Sequence, residues 1–309
     1  MNGHSPWLIS CADSSLRATD SGIVHPCDDH FVPPFVRREM IRHEVRMALR
    51  KRPVLACGVQ WAGQLKDTDL SVADLPAIVA KLGIDGIEFR EVYWKDKASE
   101  LPAASAAMRA HGLLPTYATF TTLISADPAA RELLLSDIDD ANALGSKRLR
   151  VFRGPWPEGA DAPNMWAGAR AAIDRAASYG MLLTLENFIG VPGNKRAEVE
   201  AALVELNSPT LRANIDTANY PQNGEDLIEN IKALHKYIDY SHLKDLKKVD
   251  GQWQVLGLGD GDLPFDQIFA LYDQTGRDFP VTFEFGGGDD PERAIARSYE
   301  HLRSLGMPG

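Results

Sequence analysis

From residue 53 onward the chain alternates short apolar runs with longer amphipathic segments, and this alternation restricts the possible folds more than any other feature. Eight runs are predicted as strands: 54–59, 84–89, 113–119, 148–152, 181–186, 211–216, 238–243 and 280–285. Helices are predicted near 71–82, 98–111, 128–144, 165–179, 195–206, 225–236, 264–274 and 290–305. Eight strands alternating with eight helices is the count of an α/β fold of the (β/α)8 TIM barrel type. A doubly wound sheet is the alternative, but the first strand is not followed by a Gly-rich phosphate turn.

The predicted barrel, residues 53–309, is preceded by an N-terminal extension, residues 1–52. Residues 1–33 are rich in Ser, Asp and Pro and lack periodicity, which is typical of an extended arm. The segment 35–52, FVRREMIRHEVRMALRKR, has the apolar spacing of a basic amphipathic helix. We expect this helix to pack on the barrel or to form a subunit contact rather than to bind a membrane or nucleic acid. The extension therefore predicts a homo-oligomer, with a small partner subunit as a further possibility.

The composition excludes several classes of partner. A net charge of −10 over 309 residues disfavours binding to a nucleic-acid backbone, which needs a concentrated basic surface. No apolar stretch is long enough to span a bilayer, and the first residues lack the pattern of a signal peptide. Three cysteines without metal-type spacing indicate reduced thiols. A cytoplasmic protein with a small-molecule substrate is expected.

Four strand ends carry side chains that are able to bind a metal ion: Glu186 in LLTLENF, Asp216 in ANIDTANY, His242 in DYSHLKD and Glu284 in VTFEF. Side chains alternate along these strands, so the acids lie on the face opposite the more apolar one. The apolar face is expected to pack on the helices, and the acids therefore point into the barrel mouth. Neighbouring strands lie about 4.8 Å apart, which lets four such residues reach one ion. Without a divalent cation the three carboxylates would repel one another. Three oxygens and one imidazole nitrogen favour Mn²⁺, Mg²⁺ or Co²⁺ over a structural zinc.

Six segments resemble the sugar phosphate isomerase/epimerase group, whose members have a xylose-isomerase-like barrel: IDGIEFR, LTLENF, NIDTANY, SHLKD, LGLGDGDLPFDQI and FEFGGG. The resemblance covers roughly residues 54–306. In the epimerases of this group a Glu, Asp, His, Glu set binds the metal, and the resemblance places that set at the four residues above. It also implies that Glu186 and Glu284 are the catalytic acid/base pair and that Mn²⁺ is the expected cofactor.

The sequence departs from the epimerase pattern at two places. Asn219 stands where the family often has a histidine, and Asn187 and Phe188 follow strand 5 where ketose epimerases tend to carry a substrate-binding glutamate. This pattern is more similar to inosose dehydratase-like members and to the large subunit of C-glycoside deglycosidases. Two functions therefore stay open. One is a metal-dependent isomerase or epimerase that moves a proton through an enediolate, and the other is a carbon-oxygen or carbon-carbon lyase acting on an oxidised sugar.

Further rim residues are candidates for substrate binding. Lys244 follows His242 by two residues, so it can bind a substrate oxygen or simply pair with Asp245. Aromatic side chains after strands 1, 2 and 4 can stack on a sugar or an aryl group, with loop packing as the alternative: Trp61, Trp94 and Trp156. The remaining candidates are polar residues at predicted strand ends or a motif position: Arg153, Asn219, Glu88, Arg90 and Thr119.

Overall fold

The computed structural model describes residues 52–306, so the predicted arm and basic helix of residues 1–51 lie outside it. The strands are β1 Val54–Cys57, β2 Gly86–Arg90, β3 Leu114–Thr122, β4 Arg148–Phe152, β5 Leu182–Glu186, β6 Leu211–Asp216, β7 Ile238–Leu243, β8 Asp245–Val249, β9 Gln252–Leu256 and β10 Val281–Phe283. The α-helices are α1 Ala62–Asp67, α2 Leu75–Leu82, α3 Lys97–His111, α4 Pro128–Leu144, α5 Ala162–Ser178, α6 Arg196–Leu206, α7 Asn219–Gln222, α8 Leu227–Leu234, α9 Phe265–Asp273 and α10 Pro291–Ser304.

Strands β1 to β7 and β10 form a closed barrel in which every neighbouring pair is parallel. The predicted (β/α)8 fold is therefore confirmed. Most barrel strands are buried along nearly their whole length, because helices cover the outside and side chains fill the inside. Apolar residues of the outward faces, such as Phe89, Leu185 and Ile215, join the helices in one hydrophobic core. The inward faces are polar and carry the candidate site.

Local signals explain why the helix bounds are predictable. Helix α4 begins at Pro128, where the Asp127 carboxylate accepts a hydrogen bond of 2.9 Å from the amide of Ala129. The same helix ends at Gly145, whose φ of 91° lies in the left-handed region that glycine adopts without strain. Its observed bounds, Pro128–Leu144, equal the predicted ones. Strand β1 is shorter than predicted, because Gly58–Trp61 forms a 3₁₀ helix instead of continuing the strand. None of the helices within residues 52–306 is long and apolar enough to cross a membrane.

An antiparallel hairpin, β8–β9, follows β7 and is absent from the predicted strands. Asp250 and Gly251 form its turn, with φ angles of 49° and 80°, and Asp-Gly is a strong signal for such a turn. The hairpin base is anchored by Asp245, whose carboxylate accepts amide hydrogen bonds from Gly259 at 3.0 Å and Gly261 at 2.9 Å. A Cβ at position 261 would lie 2.4 Å from Asp245 Oδ1, so this close approach requires glycine.

Candidate metal centre

The barrel register brings the four predicted metal ligands to one end of the barrel. Asp216 in β6 pairs directly with His242 in β7, and His242 pairs with Thr282 in β10. Glu186 pairs with Asn214, two residues before Asp216, while Glu284 comes directly after the end of β10. All four candidate ligands are at most 4 % exposed. The carboxyl ends of the strands therefore place them inside the barrel mouth, as the alternation pattern predicts.

One potential ligand atom from each of Glu186, Asp216, His242 and Glu284 lies within 4.8 Å of the other three. His242 Nδ1 is 3.0 Å from Glu284 Oε2 and 3.5 Å from Glu186 Oε2. The other ring nitrogen, Nε2, lies 2.8 Å from Glu88 Oε2. A histidine that binds a metal through one nitrogen usually has its other nitrogen held by a carboxylate or carbonyl. Glu88 thus orients the imidazole so that Nδ1 faces the three carboxylates.

Three cations of the chain itself, two of them buried and Lys244 partly so, contact these carboxylates. Lys244 Nζ lies 2.7 Å from both Asp216 Oδ2 and Glu284 Oε2. The lysine therefore pairs with these two carboxylates and not with Asp245. Arg90 Nη1 is 2.7 Å from Glu284 Oε1. Arg150 Nε is 2.8 Å from Glu186 Oε2, and its guanidinium also lies over the Phe152 ring. The expectation that only a metal ion can offset the carboxylate repulsion is therefore wrong, because the protein supplies cations of its own.

The donor atoms nevertheless fit a divalent cation. Each of the three carboxylates has one oxygen held by a hydrogen bond: Asn219 Nδ2 donates to Glu186 Oε1, the Ala218 and Asn219 amides donate to Asp216 Oδ1, and Arg90 donates to Glu284 Oε1. The second oxygens are Glu186 Oε2, Asp216 Oδ2 and Glu284 Oε2. They are buried, and among residues 52–306 their charged contacts are ion pairs: Glu186 Oε2 with Arg150 and His242, Asp216 Oδ2 with Lys244, and Glu284 Oε2 with Lys244 and His242. Three such oxygens and one imidazole nitrogen, without a thiolate, form a donor set that suits Mn²⁺, Mg²⁺ or Co²⁺.

The electrostatics keep the two glutamates ionised. Burial alone would raise the pKa of Glu186, but the Arg150 guanidinium and His242 outweigh it and lower this pKa to about 2. The pKa of Glu284 is also well below its ordinary value, because His242, Lys244 and Arg90 overcome the effect of burial. Burial raises the pKa of Asp216 to about 7 despite the nearby Lys244 ammonium. The negative charges of the surrounding glutamates raise the pKa of His242 well above its ordinary value, against the effect of burial. Glu186 and Glu284 are thus carboxylates at neutral pH.

A cavity of about 330 Å³ opens above this cluster. Its polar lining includes Arg90, Asn219, Gln222, Lys244 and Glu284. Its apolar lining consists of Val59, Phe120, Phe188, Val255 and Phe285. Lys244 and Asn219, both predicted to bind substrate, lie between the metal-ligand candidates and the open space. A small molecule in the cavity would therefore meet the cluster at one end and apolar side chains along its length.

The other predicted substrate contacts are not among the side chains that line this cavity. Trp61 is fully buried in the hydrophobic core, which matches the packing alternative. Trp94 stacks on Phe89 with ring centroids 5.8 Å apart, and its indole N–H donates to the Tyr117 hydroxyl. Trp156 is 38 % exposed and packs edge-on against Trp166, while Arg153 lies over the Trp156 ring and pairs with Glu198 at 3.3 Å. Substrate contact by these four side chains stays a prediction.

Three features of the site escape the sequence reasoning. Arg150 sits between Leu149 and Val151 in RLRVF, where its alternation with apolar residues signals an inward-facing cation. Glu88 is predicted only as a strand-end acid, because its contact with His242 spans the barrel interior. Phe120 and Phe188 reach the cavity from the ends of β3 and β5, and no sequence pattern distinguishes them from core residues.

The sequence profile described as xylose isomerase-like TIM barrel matches residues 76–305. The chain belongs to this family. Among curated proteins, no sequence matches it.

Solved structures with the same fold include several enzymes of distant sequence. D-allulose 3-epimerase from Methylomonas sp. superposes with a TM-score of 0.66 at 20% identity, covering 83% of this chain and 98% of that one. A probable 3-DHS dehydratase involved in petrobactin synthesis in Bacillus anthracis gives 0.65 at 14% identity, covering 83% and 100%. The 3-keto-D-glucoside 4-epimerase from E. coli gives 0.63 at 14% identity, covering 82% and 99%. At these identities the likeness shows the fold alone.

Proposed function

We propose that this protein is a divalent-metal-dependent isomerase or epimerase that acts on a keto-sugar or related polyol by proton transfer through an enediolate. One observation carries the proposal: an oxygen from each of Glu186, Asp216 and Glu284 converges with His242 Nδ1 below a cavity at the carboxyl end of the barrel. Active sites of TIM barrels form at this end. Two of the similar structures are sugar epimerases by name, which supports the same reaction class here.

Glu186, Asp216, His242 and Glu284 would hold the metal, and Mn²⁺ is the ion we propose. When bound there, a divalent cation supplies a Lewis acid for a substrate carbonyl oxygen. Glu88 keeps the imidazole oriented, and Asn219, Arg90 and the amides after β6 hold the anchored oxygen of each carboxylate.

Glu186 and Glu284 are the proposed acid/base pair. Both are ionised at neutral pH, so either can accept a proton from a carbon next to the carbonyl if it comes within about 3 Å of that hydrogen-bearing carbon. Because β5 and β10 are separated by β6 and β7 in the barrel, the two glutamates approach the cavity from different sides. One can remove a proton and the other can return it to the opposite face.

Lys244 and Asn219 complete the polar end of the cavity. The Lys244 ammonium and the Asn219 amide are hydrogen-bond donors beside the proposed base, where negative charge develops on the substrate oxygens. Donors that are already in place in a buried site stabilise such charge more strongly than water does.

A lyase on an oxidised sugar is the second candidate. Asn187 and Phe188 follow β5 in place of the substrate-binding glutamate that ketose epimerases tend to carry, and Phe188 adds to an apolar wall. One of the similar structures is a dehydratase by name. Both reactions begin by removing a proton next to a carbonyl, so they differ only in whether the enediolate is reprotonated or expels a leaving group.

NMR in D₂O with ketoses and 3-oxo-glycosides as substrates tests the proposal. Deuterium in a recovered epimer is expected for an epimerase, and release of water or an aglycone would identify the lyase. Glu186→Gln and Glu284→Gln should each lower turnover by at least about 10²-fold, within the range for a general acid or base. A chelator should remove activity, and Mn²⁺ should restore it. Near-normal turnover in either variant would disprove the assigned pair.

A further inference from the structure

The cavity above the metal-centre candidates has more apolar surface than a bare sugar needs. Phe120 is 46 % exposed at its entrance, although its ring contacts those of Phe152 at 5.8 Å and Phe188 at 6.1 Å. Its amide donates a hydrogen bond of 2.6 Å to the Glu91 carboxylate, so the backbone that presents the ring is held in place. An exposed ring on a fixed backbone is a prepared binding surface rather than a loosely packed side chain.

The hairpin β8–β9 supplies the opposite side of the entrance. Val255 lines the cavity and is 43 % exposed, and Trp253, on the same face of β9, is 42 % exposed farther along the strand. Across the hairpin Trp253 pairs with Lys248, whose ammonium lies 5.2 Å from the indole centroid. Val255 and Trp253 together form an apolar surface that leads outward from the cavity, which we call the ledge.

A small molecule fits this surface better than a macromolecule does. The apolar lining continues inward from the ledge to Phe188, which is half-buried, and to Phe285, which is 3 % exposed. A partner protein or a second copy of the chain could cover Trp253 but would not reach Phe285. The same space ends at Glu284 and Lys244, so one ligand would have a polar end and an apolar end.

We infer that the substrate carries an apolar, preferably aromatic, substituent on its sugar-like part, and that Phe120, Val255 and Trp253 bind this substituent. The inference rests on the proposed function, because the polar part is placed against the candidate metal centre. The substituent lies between Phe120 and the ledge while the carbonyl-bearing part reaches Glu284. Aromatic rings bind well between such side chains, because they bury a large apolar area with few internal degrees of freedom.

Two unreactive probes separate this inference from the chemistry: methyl β-D-glucopyranoside and phenyl β-D-glucopyranoside, which differ only in the substituent and lack the carbonyl. Their dissociation constants are measured by calorimetry on the full chain with Mn²⁺ present. The phenyl compound should bind at least about tenfold more tightly, which corresponds to roughly 1.4 kcal/mol. In a Trp253→Gln, Val255→Thr double variant this preference should fall below about threefold. Gln254→Ser, on the other face of β9, is the matched control and should keep the preference.

Equal affinities for the two probes, or no binding of either, would overturn the inference. A preference that survives the double variant would overturn it as well, since the ledge would then bind something other than the substituent. If the double variant instead changes the oligomeric state in sedimentation and leaves the preference unaltered, a second copy is the occupant and the inference fails. The deuterium-exchange assay on the same preparation reports on the proposed function independently, because it does not depend on the substituent.

Discussion

Replacing Lys244 with methionine should destabilise the metal-free protein and strengthen its binding of Mn²⁺. The ammonium lies 2.7 Å from Asp216 Oδ2 and 2.7 Å from Glu284 Oε2, which are two of the oxygens proposed to bind the metal. A cation held by these oxygens would have to replace the lysine contacts. The variant removes that competition but leaves two buried carboxylates without their shared partner.

The structure sets the size of both effects. Removing one partner of a buried ion pair costs about 3–5 kcal/mol, and the lower end applies because Arg90 still contacts Glu284. A loss of about 3 kcal/mol corresponds to a decrease in Tm of roughly 6–12 °C for a domain of this size. If metal binding breaks both lysine contacts, the wild type loses about 3 kcal/mol of ion-pair free energy when it binds Mn²⁺, and the variant does not. Its affinity for Mn²⁺ should then rise by up to about 100-fold.

Thermal unfolding with EDTA and with excess Mn²⁺ measures the first effect, and calorimetric titration of the metal-free protein with Mn²⁺ measures the second. Lys247→Met is the matched control, because Lys247 is an exposed lysine on the nearby hairpin. The control should change neither Tm nor affinity appreciably. If Lys244→Met lowers Tm equally with and without Mn²⁺ and leaves the affinity unchanged, the ammonium and the metal do not share these oxygens, and the reasoning is refuted.

Three further predictions concern other parts of the chain. Glu88→Gln should weaken Mn²⁺ binding about tenfold or more by calorimetry, because His242 loses the carboxylate that orients it; unchanged affinity would remove that role. Burial raises the pKa of the Asp137 carboxyl, although two threonine hydroxyls donate hydrogen bonds to its Oδ2. The contribution of this group to the free energy of unfolding is therefore fully present below its unfolded-state pKa and is lost as the pH rises through its folded-state pKa. Asp137→Asn should therefore raise Tm relative to the wild type at pH 7 and lose that advantage near pH 3.5, and a pH-independent difference would contradict this. Deleting residues 1–51, predicted to contain a subunit contact, should reduce the number of chains per assembly in sedimentation equilibrium, whereas an unchanged number of chains would exclude the contact.

The eight-strand barrel and the metal-ligand candidates could be predicted because local patterns determine them. Each barrel strand is a short apolar run between helix start and stop signals, and β4, β6 and β7 match their predicted bounds. In a parallel barrel the strand ends meet at one rim, so polar residues such as Asp216 and His242 at successive strand ends must converge. Neither inference needs knowledge of contacts between distant residues.

The interior contacts could not be predicted in this way. The ion pair of Lys244 with Asp216 and Glu284 depends on the barrel register and on the direction of a long side chain. The sequence spacing alone gives equal support to a pair with Asp245. The Asp245 carboxylate instead accepts hydrogen bonds from the amides of Gly259 and Gly261. The direction of the Phe120 side chain within β3 and the path of the loop after β5 likewise decide which aromatic rings face the cavity, and both depend on packing rather than on propensity.

The hairpin is a different case, because a signal for it was present. Asp250-Gly251 lies between LKKV and QWQVL, and the first four residues of the second segment alternate polar and apolar side chains. The regular βα alternation of the chain outweighs this local signal, since a hairpin between β7 and its following helix does not belong to the repeated unit. An element added to a regular fold is therefore best sought where the spacing between a strand and its following helix is longer than in the other βα units.

Among the strands from residue 52 to 306, β8 and β9 pair only with each other. The hairpin can therefore vary without disturbing the hydrogen bonds between the barrel strands. On the proposals made above, substitutions at its exposed positions, or exchange of the whole hairpin, would alter which molecules bind while Glu186 and Glu284, the proposed proton-transfer groups, stay where β5 and β10 hold them. If the proposed function holds, recognition and chemistry are separate in this molecule, and protein engineers could change its substrate by replacing a stretch of about a dozen residues.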